Sequence, residues 1–383
     1  MRIGISTSVM ERGQTGIGQY LLALIRALMR HAGRNEFVLF VLEEDLPLFE
    51  FARERMRLVT VPERFRPPLR DIFWHQTRLP RLARELRLDV LHVPSYRRLL
   101  WPRPCPLVGT IHDLAHFRIQ GKYDWRRMLY GRGVVPRLVG RQDHLIAVSH
   151  NTAQDMATFF KTPPERVTVI HNGIDHGRFC PGSRRQAQAA VAERHGLRAP
   201  FFLYVARLEH PAKNHLRLIE AFAQFKAGEE SPWQLVFAGR DAQDAAAIRS
   251  AIRQSPAAAD IHSLGFVRDE EVPTLLRAAE VFVYPSLYEG FGMPPLEAMA
   301  CGCAVICSDG GSLREVVGEG GVLVKPEDVA ELKFRMAQLA GDAGLREHWQ
   351  TAGMDWAKRF DWHRTATATM EVYAMIGEPK PTP

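Results

Sequence analysis

The chain has 383 residues, of which 46% are hydrophobic and 24% are charged, a balance typical of a globular protein long enough for two domains. Its longest apolar runs, such as Phe37 to Leu42, reach six residues, far below the ~18 needed to span a bilayer, which excludes a membrane-spanning class. The charge is uneven, because residues 1–190 hold 30 basic and 17 acidic side chains whereas residues 191–383 hold 20 and 26.

The amino-terminus and the cysteines indicate a compartment. A predicted strand, Arg2 to Ser6, stands where a secretory protein would carry an apolar signal. Five cysteines form a poor disulfide framework, and Cys301, Cys303 and Cys307 lack a histidine or carboxylate at ligand spacing, which favours buried thiols over a metal site. We therefore expect a cytosolic protein.

Apolar runs typical of strands alternate with amphipathic stretches along the chain. They are Phe37 to Leu42, Met56 to Val61, Val90 to Val93, Leu107 to Ile111, His144 to Val148, Val167 to Ile170, Phe201 to Val205, Gln234 to Ala238, Val281 to Tyr284, Ala304 to Ser308 and Gly321 to Val324. This alternation predicts an α/β fold with parallel sheets covered on both faces. The polar run Pro181 to Pro200 divides the series, so we expect one domain at residues 1–185 and another at residues 196–360.

The segment Gly13 to Gly18 follows the first strand and leads into a predicted helix from about Gln19 to Arg30. Its Gly-x-x-Gly-x-Gly spacing differs from the Gly-x-Gly-x-x-Gly fingerprint of dinucleotide-binding proteins, which argues against an NAD-dependent dehydrogenase. On this loop alone, a plain tight turn remains an open alternative.

Charged residues follow two further predicted strands. His112 and Asp113 come directly after one of them, where they either face a ligand or cap the next segment. Arg207 follows another strand, and Lys213 opens the next helix. Two cations placed in this way can converge on one diphosphate and stabilise a leaving nucleotide, although ordinary surface cations are the alternative.

Two carboxylates stand eight positions apart in the sequence Glu-Gly-Phe-Gly-Met-Pro-Pro-Leu-Glu, which runs from Glu289 to Glu297. The two prolines suit the start of a helix, so we expect Glu289 in a loop at the carboxyl end of a strand and Glu297 in the first helical turn. Ligands of parallel sheets bind at that edge. Gly290, Gly292 and the helix N-terminus would offer N–H groups to a phosphate there.

This pair of glutamates, with Gly-Phe-Gly after the first, resembles the signature of the family 4 retaining glycosyltransferases. The resemblance implies two facing Rossmann-like domains, the GT-B type, whose last helix, here residues 361–378, crosses back to the first domain. It also implies that Glu289 contacts hydroxyl groups of the donor sugar and that Glu297 accepts hydrogen bonds from the ribose of the nucleotide.

The same resemblance assigns roles to other positions. His112 would reach the donor sugar, with Asp113 orienting it, and would join Glu289 as a catalytic residue. The implied donor-binding residues are Gly16, Gly18, Arg207, Lys213, Phe266, Val267, Gly290, Phe291, Gly292 and Glu297. Among these, the two cations would bind the diphosphate, and the backbone of residues 266–267 would contact the edge of the base.

The function implied by the resemblance is retaining transfer of a hexose from a nucleotide diphosphate sugar to a hydroxyl group. The chain contains no Asp-x-Asp pair, so we expect no metal and no other cofactor. In the resembling family the departing phosphate accepts the proton of the acceptor, although a nucleophilic role for Glu289 stays open. A nucleotide-sugar 2-epimerase or hydrolase of the same fold, and a non-catalytic nucleotide-sugar-binding protein, are the alternatives.

The sequence Gly16 to Tyr20, Gly-Ile-Gly-Gln-Tyr, looks like that of mannosyltransferases of surface polysaccharide assembly. The expected donor is therefore GDP-mannose, the expected acceptor is a lipid-linked glycan, and no nucleic acid is expected as a partner.

Thirteen arginines lie between Arg53 and Arg103, among only five acidic residues. A helix from about Asp71 to Leu86, kinked or ended at Pro80, would present some of them to an anionic membrane surface on the inner face of the membrane. An ordinary arginine-rich surface is the alternative.

Overall fold

The computed structural model describes residues 1–13, 15–95, 103–119, 134–228 and 231–377. Among these, residues 1–117, 134–173 and 361–377 form one compact unit. Residues 174–360, together with the short segment 118–119, form the second unit. Each unit is built on its own parallel sheet, which confirms the predicted pair of Rossmann-like domains.

The sheet of the first unit has the strand order β3-β2-β1-β4-β5-β6-β7. Its strands are β1 (Arg2–Ser6), β2 (Glu36–Leu42), β3 (Arg57–Val61), β4 (Val90–Val93), β5 (Leu107–Ile111), β6 (His144–Ala147) and β7 (Val167–Val169). The described helices that precede residue 174 are α1 (Gly16–Leu28), α2 (Pro68–Glu85), α3 (Ala115–Arg118), α4 (Val135–Val139) and α5 (His150–Phe160).

The sheet of the second unit has the strand order β10-β9-β8-β11-β12-β13. Its strands are β8 (Phe201–Val205), β9 (Gln234–Ala238), β10 (Ile261–Ser263), β11 (Val281–Tyr284), β12 (Ala304–Ser308) and β13 (Val322–Val324). The described helices are α6 (Arg184–His195), α7 (His215–Gly228), α8 (Ala245–Gln254), α9 (Val272–Ala278), α10 (Met293–Ala300), α11 (Leu313–Val317), α12 (Val329–Gly341) and α13 (Ala343–Ala357). The last helix, α14 (Trp362–Gly377), belongs to the first unit.

The first sheet is covered on both faces, as its apolar strands predict. Leu39 of β2 packs in a buried cluster with side chains of α1 and α14, whereas its neighbour Phe40 packs in a cluster with side chains of α2. Successive side chains of a strand point to opposite faces, so the alternation along β2 supplies both cores.

Each sheet has a point where the strand order reverses. In the first unit β1 pairs with β2 on one side and β4 on the other, and in the second unit β8 pairs with β9 and β11. Loops that leave the carboxyl ends of strands at such a point diverge and leave a crevice for a ligand. The glycine loop follows β1, while Lys213 and Glu289 follow β8 and β11.

The boundary between the units falls after residue 173, earlier than the predicted end of the first domain at residue 185. The reason is that α6 packs within the second unit. The guanidinium of Arg184 lies 2.8 Å from the carboxylate of Glu280, and Ala187 and Val191 are buried.

Two helices begin earlier than their sequences predict. Helix α1 begins at Gly16 because Thr15 caps it, accepting a hydrogen bond from the N–H of Gly18. Helix α2 begins at Pro68 and continues through Pro80, which neither ends it nor breaks it into separate helices. None of the described helices is both long and apolar enough to cross a bilayer.

Candidate functional site

Glu289 lies in the loop between β11 and α10, where three donors converge on one of its carboxylate oxygens. The Nζ of Lys213 is 2.5 Å from Oε1, the hydroxyl of Ser286 is 2.6 Å away, and the hydroxyl of Tyr284 is 2.9 Å away. Lys213 and Glu289 therefore form an ion pair, with 15% and 18% of their side chains exposed. The structure brings together two predicted site residues that are 76 positions apart in sequence.

The charge of Lys213 determines the ionisation of Glu289. Burial alone would raise the pKa of the Glu289 carboxyl, but Lys213 and the hydrogen bonds outweigh burial and hold the pKa below its ordinary value. Burial raises the pKa of Tyr284, so its hydroxyl keeps its proton and donates. The site therefore holds a fixed carboxylate beside a fixed cation at neutral pH.

Hydrogen bonds between two loops keep this pair in place. The carbonyl of Ala212 accepts from the hydroxyl of Ser286 at 3.1 Å and from the N–H of Leu287 at 3.0 Å. The side-chain amide of Asn214, a residue with a left-handed backbone (φ 58°), donates to the carbonyl of Pro285 at 2.9 Å. Because β8 and β11 are neighbours, the loops after them meet and are tied side by side.

Residues 290–292, which follow Glu289, are held by hydrogen bonds from the loop after β12. The hydroxyl of Ser312 donates to the carbonyls of Glu289 at 3.0 Å and Phe291 at 2.7 Å. Gly292 has φ 107° and precedes α10, and a Cβ there would lie 2.5 Å from the side chain of Leu313. This position therefore requires glycine. Gly290 and Phe291 complete the loop that the sequence predicted.

Glu297 lies in the second turn of α10 rather than in the predicted first turn, because the helix begins at Met293. The residue as a whole is partly exposed, but its carboxyl group is surrounded by protein. Burial raises its pKa to about 7; Arg178 opposes this rise and Asp269 adds to it. Near neutral pH the carboxyl group is therefore close to its titration point, unlike the carboxylate of Glu289.

This raised pKa predicts a pH-dependent cost to stability. The folded chain holds the Glu297 proton more tightly than the unfolded chain, so stability falls as pH rises from about 4.5 to about 7. Glu297→Gln should remove a cost of about 3 kcal/mol at pH 8 and change little at pH 4.5. We expect the variant to melt above wild type at pH 8 only. Equal melting temperatures at pH 8, or the same gain from the exposed control Glu319→Gln, would contradict this assignment.

Arg207, predicted to act with Lys213, has a separate partner. Its guanidinium lies 2.8 Å from the carboxylate of Glu209, and 52% of the Arg207 side chain is exposed whereas Glu209 is buried. Each of the two predicted phosphate-binding cations is thus held by its own carboxylate. Their joint action on a diphosphate stays a prediction.

The backbone that we predict contacts the base lies in the loop after β10, beside the loop after β9. The N–H of Gly239 donates to the carbonyl of Gly265 at 2.7 Å, which ties the two loops together. Phe266 follows with 70% of its surface exposed, and Val267 is buried. The exposed ring lies near the carboxyl edge of the sheet, next to the backbone that was predicted to contact a base.

In the first unit, Gly16 and Gly18 lie in the first turn of α1, rather than in a loop before the helix as predicted. A Cβ at Gly18 would lie 2.6 Å from the carbonyl oxygen of Met10, so the close approach of the preceding loop requires glycine. The N-terminus of α1 therefore stands at the carboxyl edge of the first sheet, where the strand order reverses between β1 and β4.

His112 follows β5, and its ring packs edge-on against Tyr20 with 4.6 Å between ring centroids. Burial lowers the pKa of His112 to about 4, so the imidazole is neutral at pH 7. Within the described residues its buried Nε2 atom has no hydrogen-bond partner. The carboxylate of Asp113 accepts from the N–H of Ala115 at 3.0 Å, so it caps α3, and no hydrogen bond to His112 is found.

Four residues that support the Glu289 loop were not identified from the sequence as site residues. They are Tyr284, Ser286, Asn214 and Ser312. Tyr284 and Ser286 stand within five positions of Glu289, so their nearness was a usable signal. Asn214 and Ser312 reach the loop only through the fold.

Two family models match the chain. The model described as Glycosyltransferase Family 4 matches residues 14–178, and the model described as Glycosyl transferases group 1 matches residues 187–356. The chain is similar to O-antigen chain mannosyltransferase B of Escherichia coli, with 27% identity across 98% of this chain and 100% of the relative. It is also 30% identical to an MMP alpha-(1->4)-mannosyltransferase of Mycolicibacterium hassiacum, over 70% of this chain and 65% of the relative.

Solved structures share the fold. A structure of Anabaena HepE in complex with UDP and glucose aligns with a TM-score of 0.75 at 19% identity, over 98% of this chain and all of HepE. Sucrose-phosphate synthase from Thermosynechococcus elongatus aligns with a TM-score of 0.78 at 20% identity, over 98% of both chains. These likenesses confirm the predicted GT-B fold class.

Proposed function

Because the chain belongs to the family 4 glycosyltransferases, we propose that it transfers mannose from GDP-mannose to a hydroxyl group of a glycan, with retention of anomeric configuration. Relatives named as mannosyltransferases support the choice of sugar. The O-antigen name of the relative that aligns over its full length supports a role in polysaccharide assembly. A lipid-linked glycan is the acceptor that we propose.

The observation that carries this proposal is the ionised carboxylate of Glu289 at the point where the second sheet reverses its strand order. Within the described part of the chain its three side-chain donors, Lys213, Tyr284 and Ser286, all bond to Oε1. Oε2 receives none of these bonds, and it is the atom that we propose accepts a hydrogen bond from a sugar hydroxyl. Lys213 beside it would attract the diphosphate of the same donor.

The proposed reaction needs no protein base. The bond between the anomeric carbon and the diphosphate breaks, the acceptor oxygen bonds to that carbon, and the acceptor proton goes to the departing phosphate oxygen. Arg207 and Lys213 would stabilise the negative charge of the nucleotide as it leaves. Each would have to exchange its present carboxylate partner, at least in part, for the phosphates.

The donor and the reaction type can be tested together. GDP should raise the melting temperature more than UDP or ADP does, since a ligand stabilises the state that binds it. With GDP-mannose and a saccharide acceptor, a retained mannosyl linkage should form, and EDTA should leave its rate unchanged. A larger rise in melting temperature with UDP than with GDP would contradict GDP-mannose as the donor. Loss of activity in EDTA that magnesium restores would overturn the cation-only mechanism, and free or isomerised sugar as the sole product would favour a hydrolase or epimerase.

We also propose that helix α2 contacts an anionic membrane surface. Leu69 and Phe73 are 82% and 58% exposed and lie four residues apart, so they share one face of the helix. Arg84 stands three turns beyond Phe73 on that face, and the exposed Arg70 and Arg81 lie together along one side of the face. Apolar side chains beside arginines are typical of helices that lie in a membrane interface, and each basic group adds about 1 kcal/mol near anionic lipid.

Vesicle co-sedimentation tests this surface. We expect binding to anionic vesicles that weakens with salt, and loss of that binding in Phe73→Ser and in the triple charge reversal of Arg70, Arg81 and Arg84 to glutamate. The matched control is Phe334→Ser, because Phe334 is 56% exposed but lies on α12 of the second unit. Equal, negligible binding to anionic and neutral vesicles would instead favour an acceptor that is not embedded in a membrane.

A further inference from the structure

A buried cluster of hydroxyl and imidazole groups joins four elements of the first unit. The hydroxyl of Tyr373 on α14 lies 2.7 Å from Nδ1 of His92 on β4. Nε2 of His92 lies 2.8 Å from the hydroxyl of Thr110 on β5. That hydroxyl is in turn 3.5 Å from the hydroxyl of Tyr20 on α1. All four side chains are at least nine-tenths buried, so the chain of contacts is shielded from water.

The ring of Tyr20 continues this chain toward His112. Its centroid is 4.6 Å from that of the His112 imidazole, and the two ring planes meet at 79°. Tyr20 also packs edge-on against Trp362 of α14, with 5.7 Å between centroids. Held at its hydroxyl by Thr110 and at its ring by Trp362, Tyr20 cannot turn without breaking a contact.

The orientation of His112 depends on packing. Its Nε2 atom is buried without a hydrogen-bond partner in the part of the chain that the structure describes, and Asp113 bonds to the backbone of Ala115 instead. A histidine that contacts a substrate must present the correct ring nitrogen in the correct direction, and this is usually fixed by a hydrogen bond to the other nitrogen. Here, among the described residues, the edge-on contact with Tyr20 is an interaction that can fix the plane of the ring.

We infer that Tyr20 is a positioning residue that orients His112, and that Thr110, His92 and Tyr373 hold Tyr20 in place for this purpose. The inference rests on the proposed function, together with the expectation from the sequence resemblance that His112 contacts the donor sugar. It extends that function by giving the carboxyl-terminal helix α14 a share in the geometry of the site, through Tyr373. A role in core packing alone would make Tyr20 important for stability but not specifically for His112.

A double-mutant cycle separates these roles. Tyr20→Leu should lower kcat for mannosyl transfer about 10- to 100-fold with little change in the Kd of GDP, since a small misplacement of a catalytic group has costs of that order. Tyr20→Phe, which keeps the ring but lacks the hydroxyl that contacts Thr110, should recover only part of that loss. The double variant Tyr20→Leu/His112→Gln should be no slower than His112→Gln alone. Multiplicative losses in the double variant would overturn the inference.

A measurement that does not depend on catalysis can show separately whether Tyr20 orients His112 and whether His112 acts in transfer. In spectra of the histidine ring nitrogens, with His112 assigned through His112→Gln, Tyr20→Leu should shift or broaden the His112 signals, and Tyr20→Phe should change them less. Thr110→Val serves as the test variant if Tyr20→Leu does not fold. Unchanged His112 signals would overturn the inference whatever the activity is. Shifted signals together with a His112→Gln enzyme of wild-type kcat would confirm the positioning but overturn the role of His112 in transfer.

Discussion

Replacing Glu289 by glutamine is expected to lower sugar transfer by about 10- to 100-fold, because a charged hydrogen bond to a substrate hydroxyl contributes about 1.5–3 kcal/mol. Glu289→Gln should bind GDP at least as tightly as wild type does. Glutamine removes the negative charge that now pairs with Lys213 at 2.5 Å, so the ammonium group becomes available to a phosphate. Transfer rates and calorimetric affinities for GDP, measured on one preparation, check both halves of this expectation.

The control for Glu289→Gln is Glu327→Gln, which removes an exposed carboxylate of the same unit and should leave both quantities unchanged. A Glu289→Gln variant that transfers mannose like wild type would exclude Glu289 from the site. A variant that loses GDP affinity in step with its rate would instead place the carboxylate on the nucleotide rather than on the sugar.

Lys213→Met is expected to affect both stability and binding. It leaves the largely buried carboxylate of Glu289 without its cation, which should destabilise the chain by about 3 kcal/mol. It should also weaken GDP binding while changing the affinity for guanosine little, because only GDP carries the diphosphate. Chemical unfolding and calorimetry give the two measurements.

The double variant Lys213→Met/Glu289→Gln separates these effects. Stability should recover, since no unpaired charge remains, but GDP affinity should stay low because the cation is still missing. A Lys213→Met variant as stable as wild type would mean that the ion pair contributes nothing to the fold. Recovery of GDP affinity in the double variant would mean that Lys213 does not bind the phosphates.

The strands could be predicted because their residues carry local information. Val90–Val93, Leu107–Ile111 and Gln234–Ala238 have the predicted bounds, since short β-branched and aromatic runs bounded by polar residues have few other structures available. Helix starts are encoded less directly, because a capping side chain can extend a helix beyond its apolar pattern. Helix α1 begins at Gly16 because the cap by Thr15 outweighs the low helical propensity of the two glycines.

The partners within the site could not be predicted, because they depend on which strands are neighbours. The ion pair of Lys213 and Glu289 requires β8 beside β11, and hydrophobic patterns do not give strand order. The contact between His92 and Tyr373 joins residues 281 positions apart. The raised pKa of Glu297 also has no sequence signal, since it arises from burial in the folded unit.

The most direct test of the central claim is transfer of radiolabelled mannose from GDP-mannose to a saccharide acceptor, in EDTA, by wild type and Glu289→Gln side by side. We predict labelled glycan with wild type, at a rate that EDTA does not change, and at least tenfold less product with the variant. Equal transfer by the two proteins, or no transfer by wild type from GDP-mannose while another nucleotide sugar is used, would contradict the proposed function.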